Sequence, residues 1–192
     1  QAFNQRFWDE DAGGYGTNNQ SANAIALYMG LVPPERVDAT AASLVRAVEA
    51  HNGHLTTGNI CTKYLLEALT AAGRSDVALG IALQEDYPSW GNMLANGATT
   101  LWERWEKATG GGMNSHNHPM MGSVGSWFYR ALAGLRAHPV EPGFGRFSLR
   151  PEVVAGVDWV KAGLDTVRGR IETGWERRGS ELSLRVLVPA GC

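Results

Sequence analysis

Cysteine is almost absent from this chain: Cys61 and Cys192 are the only two in 192 residues. They form neither a disulfide framework nor a metal-ligand spacing, so the redox compartment stays undecided and Cys61 reads as a small buried residue. An excess of one charge is also missing. With 17 Lys and Arg against 19 Asp and Glu, the formal net charge is −2. That balance offers no electrostatic case for nucleic acid or an anionic membrane surface as partner. No apolar run approaches about 18 residues, so no segment reads as a bilayer-spanning helix. The glycines at Gly13-Gly14 and Gly110–Gly112 have no strand before them and no helical pattern after, which excludes phosphate loops. Solenoid-like repeats at a fixed period are absent too.

What is present is globular. Hydrophobic residues make up 44% of the chain and charged ones 19%, enough to bury a sizeable core in one domain or one and a half. The chain opens at Gln1 without a targeting segment and ends at Val188-Pro189-Ala190-Gly191-Cys192, after a strand-like run. We read it as a piece of a longer protein. Whether the parent is cytoplasmic or secreted is left open by that reading.

The first two-thirds reads helical. Ser21 to Leu31 is Ala-rich and stops at Gly30 and Pro33-Pro34. Glu35 to about Ala50 places Val37, Ala41, Leu44, Val45 and Val48 at helical spacing, with Gly53 beyond. Thr62 to Ala72 carries Tyr64, Leu65 and Leu69 and closes at Gly73. Ser75 is expected to cap the next helix, Asp76 to about Glu85. Short connections make such helices antiparallel hairpins. A last helix is expected from Met121 to Ala137, with Val124, Phe128, Ala131 and Leu135 on its buried stripe. Then Pro139, Pro142, Gly143 and Gly145 mark a boundary. Arg146–Arg150, Asp158–Ala162, Arg168–Trp175 and Glu181–Val188 follow as short β-rich runs, the pattern of antiparallel β structure and part of a sandwich. The expected fold class is therefore mainly α with a β tail, divided into residues 1–138 and 139–192.

The chemistry concentrates between Tyr87 and Tyr129. Glu103 lies between Trp102 and Trp105, and Asn114-Ser115-His116-Asn117-His118 follows. Thr99 or Thr100 is placed to cap a helix that carries Glu103 in its first turns. In one reading Glu103 is a dipole-favoured surface residue paired with Lys107. In the other it is a general base between aromatic walls, kept ionised by Arg104, with Glu106 the solvated partner. Trp90, Trp102 and Trp105 are core residues or stacking surfaces for a sugar ring. His116, Asn117 and His118 satisfy helix ends or reach separate sugar hydroxyls. The i, i+2 histidines lack a third ligand at fitting distance, so no metal is expected there. His51 and His54 flank the Gly53 turn and read as turn residues. Asp9, Glu10 and Asp11 read as solvated surface. Nothing in the chain calls for a cofactor.

Three runs together carry a resemblance: Tyr87-Pro88-Ser89-Trp90-Gly91, then Gly97-Ala98-Thr99-Thr100-Leu101-Trp102-Glu103-Arg104-Trp105, then Asn114 to His118 with Gly122-Ser123-Val124-Gly125. They resemble the bacterial α-L-rhamnosidases of glycoside hydrolase family 78. Thr57-Gly58-Asn59-Ile60 with Thr62-Lys63-Tyr64-Leu65-Leu66, and Pro142 through Ala190, extend the similarity over essentially the whole chain. Cys61 departs from it, standing where glycine is usual. The resemblance implies a partial (α/α)6 barrel followed by a β-sandwich portion. It implies an inverting hydrolase that removes terminal α-L-rhamnose from glycosides. Glu103 then takes the general-base role, and His118 is the better sugar contact than His116. With Trp90, Trp102 and Asn117, read above from the residues themselves, these make up the expected substrate-binding set. The general acid would lie outside this chain, in the missing N-terminal part of the enzyme, so the isolated 192 residues are expected to be inactive. A glycosidase of the same barrel with another sugar specificity, or a non-catalytic carbohydrate-binding remnant, is the alternative.

Overall fold

The computed structural model describes residues 1–112 and 114–192. The chain divides into two compact units, residues 1–124 and 125–192.

The first unit begins with α1 (Ala2–Phe7) and a two-residue antiparallel hairpin, β1 (Trp8–Asp9) with β2 (Gly14–Tyr15). Helices α2 (Gln20–Tyr28), α3 (Val37–Glu49), α4 (Thr62–Ala71), α5 (Ser75–Ala82) and α6 (Trp90–Ala95) follow. The local chemistry explains their ends. The Asn19 side chain accepts a hydrogen bond from the Ala22 N–H at 2.9 Å and so caps α2. Gly30, at φ +63°, ends the same helix in the left-handed region that glycine tolerates best. The core is the shared stripe of Leu44, Leu65, Leu66, Leu69, Ile81 and Met93, all buried. Packing of α2 on α3 and α4, and of α4 on α5, produces the expected helical hairpins.

One buried polar residue shapes the loop that matters later. Gln20, on α2, donates from Nε2 to the carbonyls of Ala47 (3.2 Å) and His54 (2.9 Å). Its Oε1 accepts from the Thr56 N–H at 2.8 Å. A buried amide with every polar atom engaged fixes the 51–61 connection instead of destabilising the core.

Several expectations are corrected here. Ser75 is the first residue of α5, and Arg74 holds the cap position, paired side-on with Asp76. Cys61 is half-buried at the start of α4, not a core residue. The short helix α6, capped by the Ser89 side chain on the Asn92 N–H at 2.9 Å, has no counterpart in the sequence reading. The continuous helix expected from Met121 to Ala137 is broken into pieces. A 3-10 turn (Pro119–Gly122), α7 (Ser123–Trp127) and a π turn (Phe128–Leu132) give way to strand β3 (Leu135–Ala137). Gly134, at φ +75°, makes the break, and a Cβ there would stand 2.2 Å from the Pro151 nitrogen. The helical spacing of Leu135 was genuine, but its partner is a distant strand, which local periodicity does not report.

In the second unit, β3 pairs antiparallel with β4 (Phe147–Leu149). Strands β5 (Trp159–Thr166), β6 (Gly169–Arg178) and β7 (Glu181–Leu187) form an antiparallel meander in the order β5-β6-β7. In β6 Ile171, Thr173 and Trp175 are buried while Glu172 and Glu176 are exposed, the period-2 signature of a sheet with one covered face. The buried Trp175 donates its indole N–H to the Leu132 carbonyl at 2.7 Å. Helical hairpins followed by antiparallel sheets are thus the observed architecture. Among the described residues no helix is long and apolar enough to cross a membrane.

Candidate functional site

Among the described residues of 98–118 there is no α-helix, so the helical placement of Glu103 is corrected. The segment folds back on itself instead. The Glu103 N–H donates to the Ser115 carbonyl at 2.9 Å, and the His118 N–H donates to the Leu101 carbonyl at 2.9 Å. The Ser115 N–H in turn donates to Glu103 Oε2 at 3.1 Å. The Thr100 hydroxyl donates to the His116 carbonyl. Two stretches about a dozen residues apart are thereby laced together without regular sheet.

The charges around Glu103 also differ from expectation. Arg104 pairs with Glu106 and not with Glu103. Lys107 is taken by the Asn96 carbonyl at 2.8 Å. The half-buried Glu103 carboxylate is held by a backbone amide instead of a cation. An amide donor orients a carboxylate as a salt bridge does, and it leaves lone pairs for water.

The aromatic residues sort into walls and core. Trp102 is 3% exposed and stacks on the His116 ring at 5.1 Å, with 25° between the planes. The Ala108 carbonyl lies 2.8 Å from His116 Nε2. A carbonyl only accepts, so Nε2 carries the proton. His116 is therefore committed to holding its own loop. Trp90 and Trp105 are each 8% exposed and meet edge to face at 5.1 Å. The Trp90 indole donates to the Met121 carbonyl at 2.9 Å, and the Trp105 indole donates to the Thr57 carbonyl at 2.8 Å. Indoles buried and bonded in this way support the loop; neither Trp90 nor Trp102 presents a free face in this chain. His118 is half-buried and Asn117 is exposed. The Asn117 N–H donates to the Ser115 hydroxyl at 3.2 Å. The structure thus brings Glu103, Ser115, His116 and Trp102 together, with Trp90 and Trp105 behind them as support.

One pair has no signature in the local sequence because its members are 32 positions apart. His54 Nε2 lies 2.7 Å from Asp86 Oδ1, and His54 Nδ1 lies 3.2 Å from the His51 carbonyl. His54 is thus no mere turn residue. The hydrogen bond from His54 holds the Asp86 carboxyl below its ordinary range. These residues line a cleft of about 500 Å³ with Tyr87, Pro88 and Trp105. No sequence signal short of the fold itself pairs His54 with Asp86. Among the described residues, no group of three or more His, Cys, Asp or Glu side chains is placed to hold a metal ion.

Residues 1–132 match the model of the bacterial alpha-L-rhamnosidase 6 hairpin glycosidase domain, and residues 134–192 match that of the bacterial alpha-L-rhamnosidase C-terminal domain. An alpha-L-rhamnosidase of Streptomyces avermitilis is 37% identical over 90% of this chain and 17% of its own length. One from an Alteromonas species is 33% identical over 98% of this chain and 21% of its own. The chain spans about a fifth of the length of the curated relatives it matches. Among solved structures, an alpha-L-rhamnosidase from Dictyoglumus thermophilum superposes with a TM-score of 0.90 at 41% identity, covering 99% of this chain and 21% of that one. The Streptomyces avermitilis alpha-L-rhamnosidase complexed with L-rhamnose gives a TM-score of 0.88 at 36% identity, covering 99% and 19%. By its matching glycosidase domain, its C-terminal domain and these relatives, the chain belongs to the bacterial alpha-L-rhamnosidase six-hairpin glycosidase family.

Proposed function

We propose that this chain supplies the general-base side of the active site of an inverting α-L-rhamnosidase. Its helical hairpins would form part of an (α/α)6 barrel, completed by a segment that also brings the general acid. In this reading Glu103 takes a proton from a water while that acid protonates the departing glycosidic oxygen on the opposite sugar face. The carboxyl groups of inverting enzymes stand about 6.5–9.5 Å apart to admit the water. The observation that carries the reading is the Ser115 amide on Glu103 Oε2 at 3.1 Å, which aims the carboxylate without neutralising it. His118 and Asn117 are the groups that meet sugar hydroxyls. His116 and Trp102 keep the loop in place, and Trp90 backs it. The substrate would be a glycoside or oligosaccharide with terminal rhamnose.

The test uses the complete enzyme that contains this chain. Glu103→Gln is expected to lower kcat by about 10²–10⁴-fold while KM changes little. Proton NMR of the first product formed by the wild type should show the inverted anomer. Activity retained in Glu103→Gln, or retention of configuration, rules the assignment out. The 192-residue chain alone should release no rhamnose.

A further inference from the structure

Among the described residues of 98–118 neither helix nor strand forms. No regular ladder of backbone bonds therefore fixes where Glu103 stands, and its place depends on what the loop is tied to. The bonds between Glu103 and Ser115 stay within the loop. A tie to the helical hairpins comes two residues on. The Trp105 indole donates to the Thr57 carbonyl at 2.8 Å, and both residues are buried. Lys107 makes another tie, to the Asn96 carbonyl, but at the exposed surface, where water competes for both partners. Two residues of extended chain reach at most about 7 Å, so the backbone between Trp105 and Glu103 has little slack to absorb a shift of the indole.

The Thr57 carbonyl is itself held from both sides. Gln20, 1% exposed on α2, accepts from the Thr56 N–H at 2.8 Å and donates to the carbonyls of His54 (2.9 Å) and Ala47 (3.2 Å). One amide thus joins α2, α3 and the residue just before Thr57. From the other side, the buried Thr62 hydroxyl at the start of α4 reaches the Gly58 carbonyl at 2.8 Å and the Thr57 carbonyl at 3.3 Å. The Trp105 ring meets Trp90 edge to face at 5.1 Å, and the Trp90 indole is bonded to the Met121 carbonyl. A buried network whose members are all satisfied keeps its geometry closely, because a displacement leaves a polar group unpaired.

We propose that Gln20, Thr62 and Trp105 are positioning residues for Glu103. The first two set the Thr57 carbonyl. That carbonyl, through the Trp105 indole, sets the stretch of backbone that carries the carboxylate. The inference rests on the reading of Glu103 as general base given above. None of the three needs to touch the sugar, so their loss falls on kcat and spares KM.

The experiment measures kcat and KM of Gln20→Met and Trp105→Phe in the complete enzyme, each with Glu103 intact and again in the Glu103→Gln background. A reacting group displaced by about 1 Å loses on the order of 10²-fold, and a loosened anchor is expected to lower kcat about ten-fold. KM should change by less than about two-fold. In the Glu103→Gln background the same substitutions are expected to cost less than about two-fold, since the group they aim is gone. An unchanged kcat in either variant with Glu103 present overturns the proposal. So does a loss carried by KM, or an equal loss in the two backgrounds, which is the signature of a merely structural role. Trp105→Phe keeps a ring against Trp90 and leaves the Thr57 carbonyl its bond from the Thr62 hydroxyl, so the fold is expected to persist. If Gln20→Met fails to fold, Thr62→Val takes its place with the same expected outcomes. Full activity in Glu103→Gln refutes the base reading, and the positioning role falls with it. A loss in Glu103→Gln beside an unchanged Trp105→Phe refutes the positioning role alone.

Discussion

Glu103 and Ser115 hold each other twice. The Glu103 N–H donates to the Ser115 carbonyl at 2.9 Å, and the Ser115 N–H donates to the Glu103 carboxylate at 3.1 Å. The first bond sets the path of the chain and the second sets the direction of the side chain. The carboxylate is therefore oriented by the backbone, twelve positions downstream, and not by a neighbouring cation.

That relationship separates two substitutions at one position. Ser115→Ala keeps both backbone bonds and gives up only the hydroxyl that accepts from the Asn117 N–H. It should leave kcat within a few-fold of wild type. Ser115→Pro removes the donor to Oε2. A misplacement of about 1 Å in a reacting group costs on the order of 10²-fold, and a loss of that size is expected. Steady-state kinetics of the two variants in the complete enzyme decide the point. Equal activities would mean that the amide does not aim the carboxylate.

The buried indoles make a stability prediction. Trp175→Phe keeps most of the ring but leaves the Leu132 carbonyl without its 2.7 Å partner. The expected cost is about 1–3 kcal/mol, the desolvation penalty of an unpaired buried acceptor. Trp105→Phe should cost less, toward about 1 kcal/mol. The Thr57 carbonyl it abandons also accepts from the Thr62 hydroxyl at 3.3 Å. Urea unfolding of both variants would test the ranking.

Gly134 is expected to tolerate no side chain. Its φ is +75°, and the atoms nearest a Cβ would be backbone atoms of Arg150 and Pro151, which have no rotamer to move aside. Gly134→Ala should destabilise by about 3 kcal/mol or more, at the severe end for a single substitution. Gly73, at φ +73°, has nothing near its Cβ position. Gly73→Ala should therefore show the milder cost of the left-handed conformation alone, about 1–2 kcal/mol. Thermal unfolding of the pair separates steric clash from backbone strain.

A pH dependence follows from Asp76. The hydrogen bond from Arg74 is the main cause that holds its carboxyl below the ordinary range. A depressed carboxyl pKa stabilises the fold above the unfolded value, and that contribution disappears as pH falls through the folded value. The pair is well exposed, so its worth is limited to about 0.2–1 kcal/mol. Asp76→Asn should lower the urea midpoint at neutral pH and match wild type at about pH 2, below the carboxylate range. A difference that persists in acid would assign the effect to something other than the ion pair.

The amino-acid order alone carried the helical spacing of Leu44, Leu65 and Leu69, the glycine stop at Gly30, the alternation through Ile171 and Trp175, and the gathering of Glu103 with its tryptophans and histidines. These are signals of local geometry, repeating every 3.6 or every 2 residues, and they survive without knowledge of partners. The tertiary structure decided everything that depends on distant partners. It took Glu103 out of a helix and gave it Ser115, sent Arg104 to Glu106, turned Leu135 into a strand opposite Leu149, and joined His54 to Asp86. A hydrogen bond or a strand pair is satisfied by whichever group the folded chain brings near, and its energy does not depend on how many residues lie between.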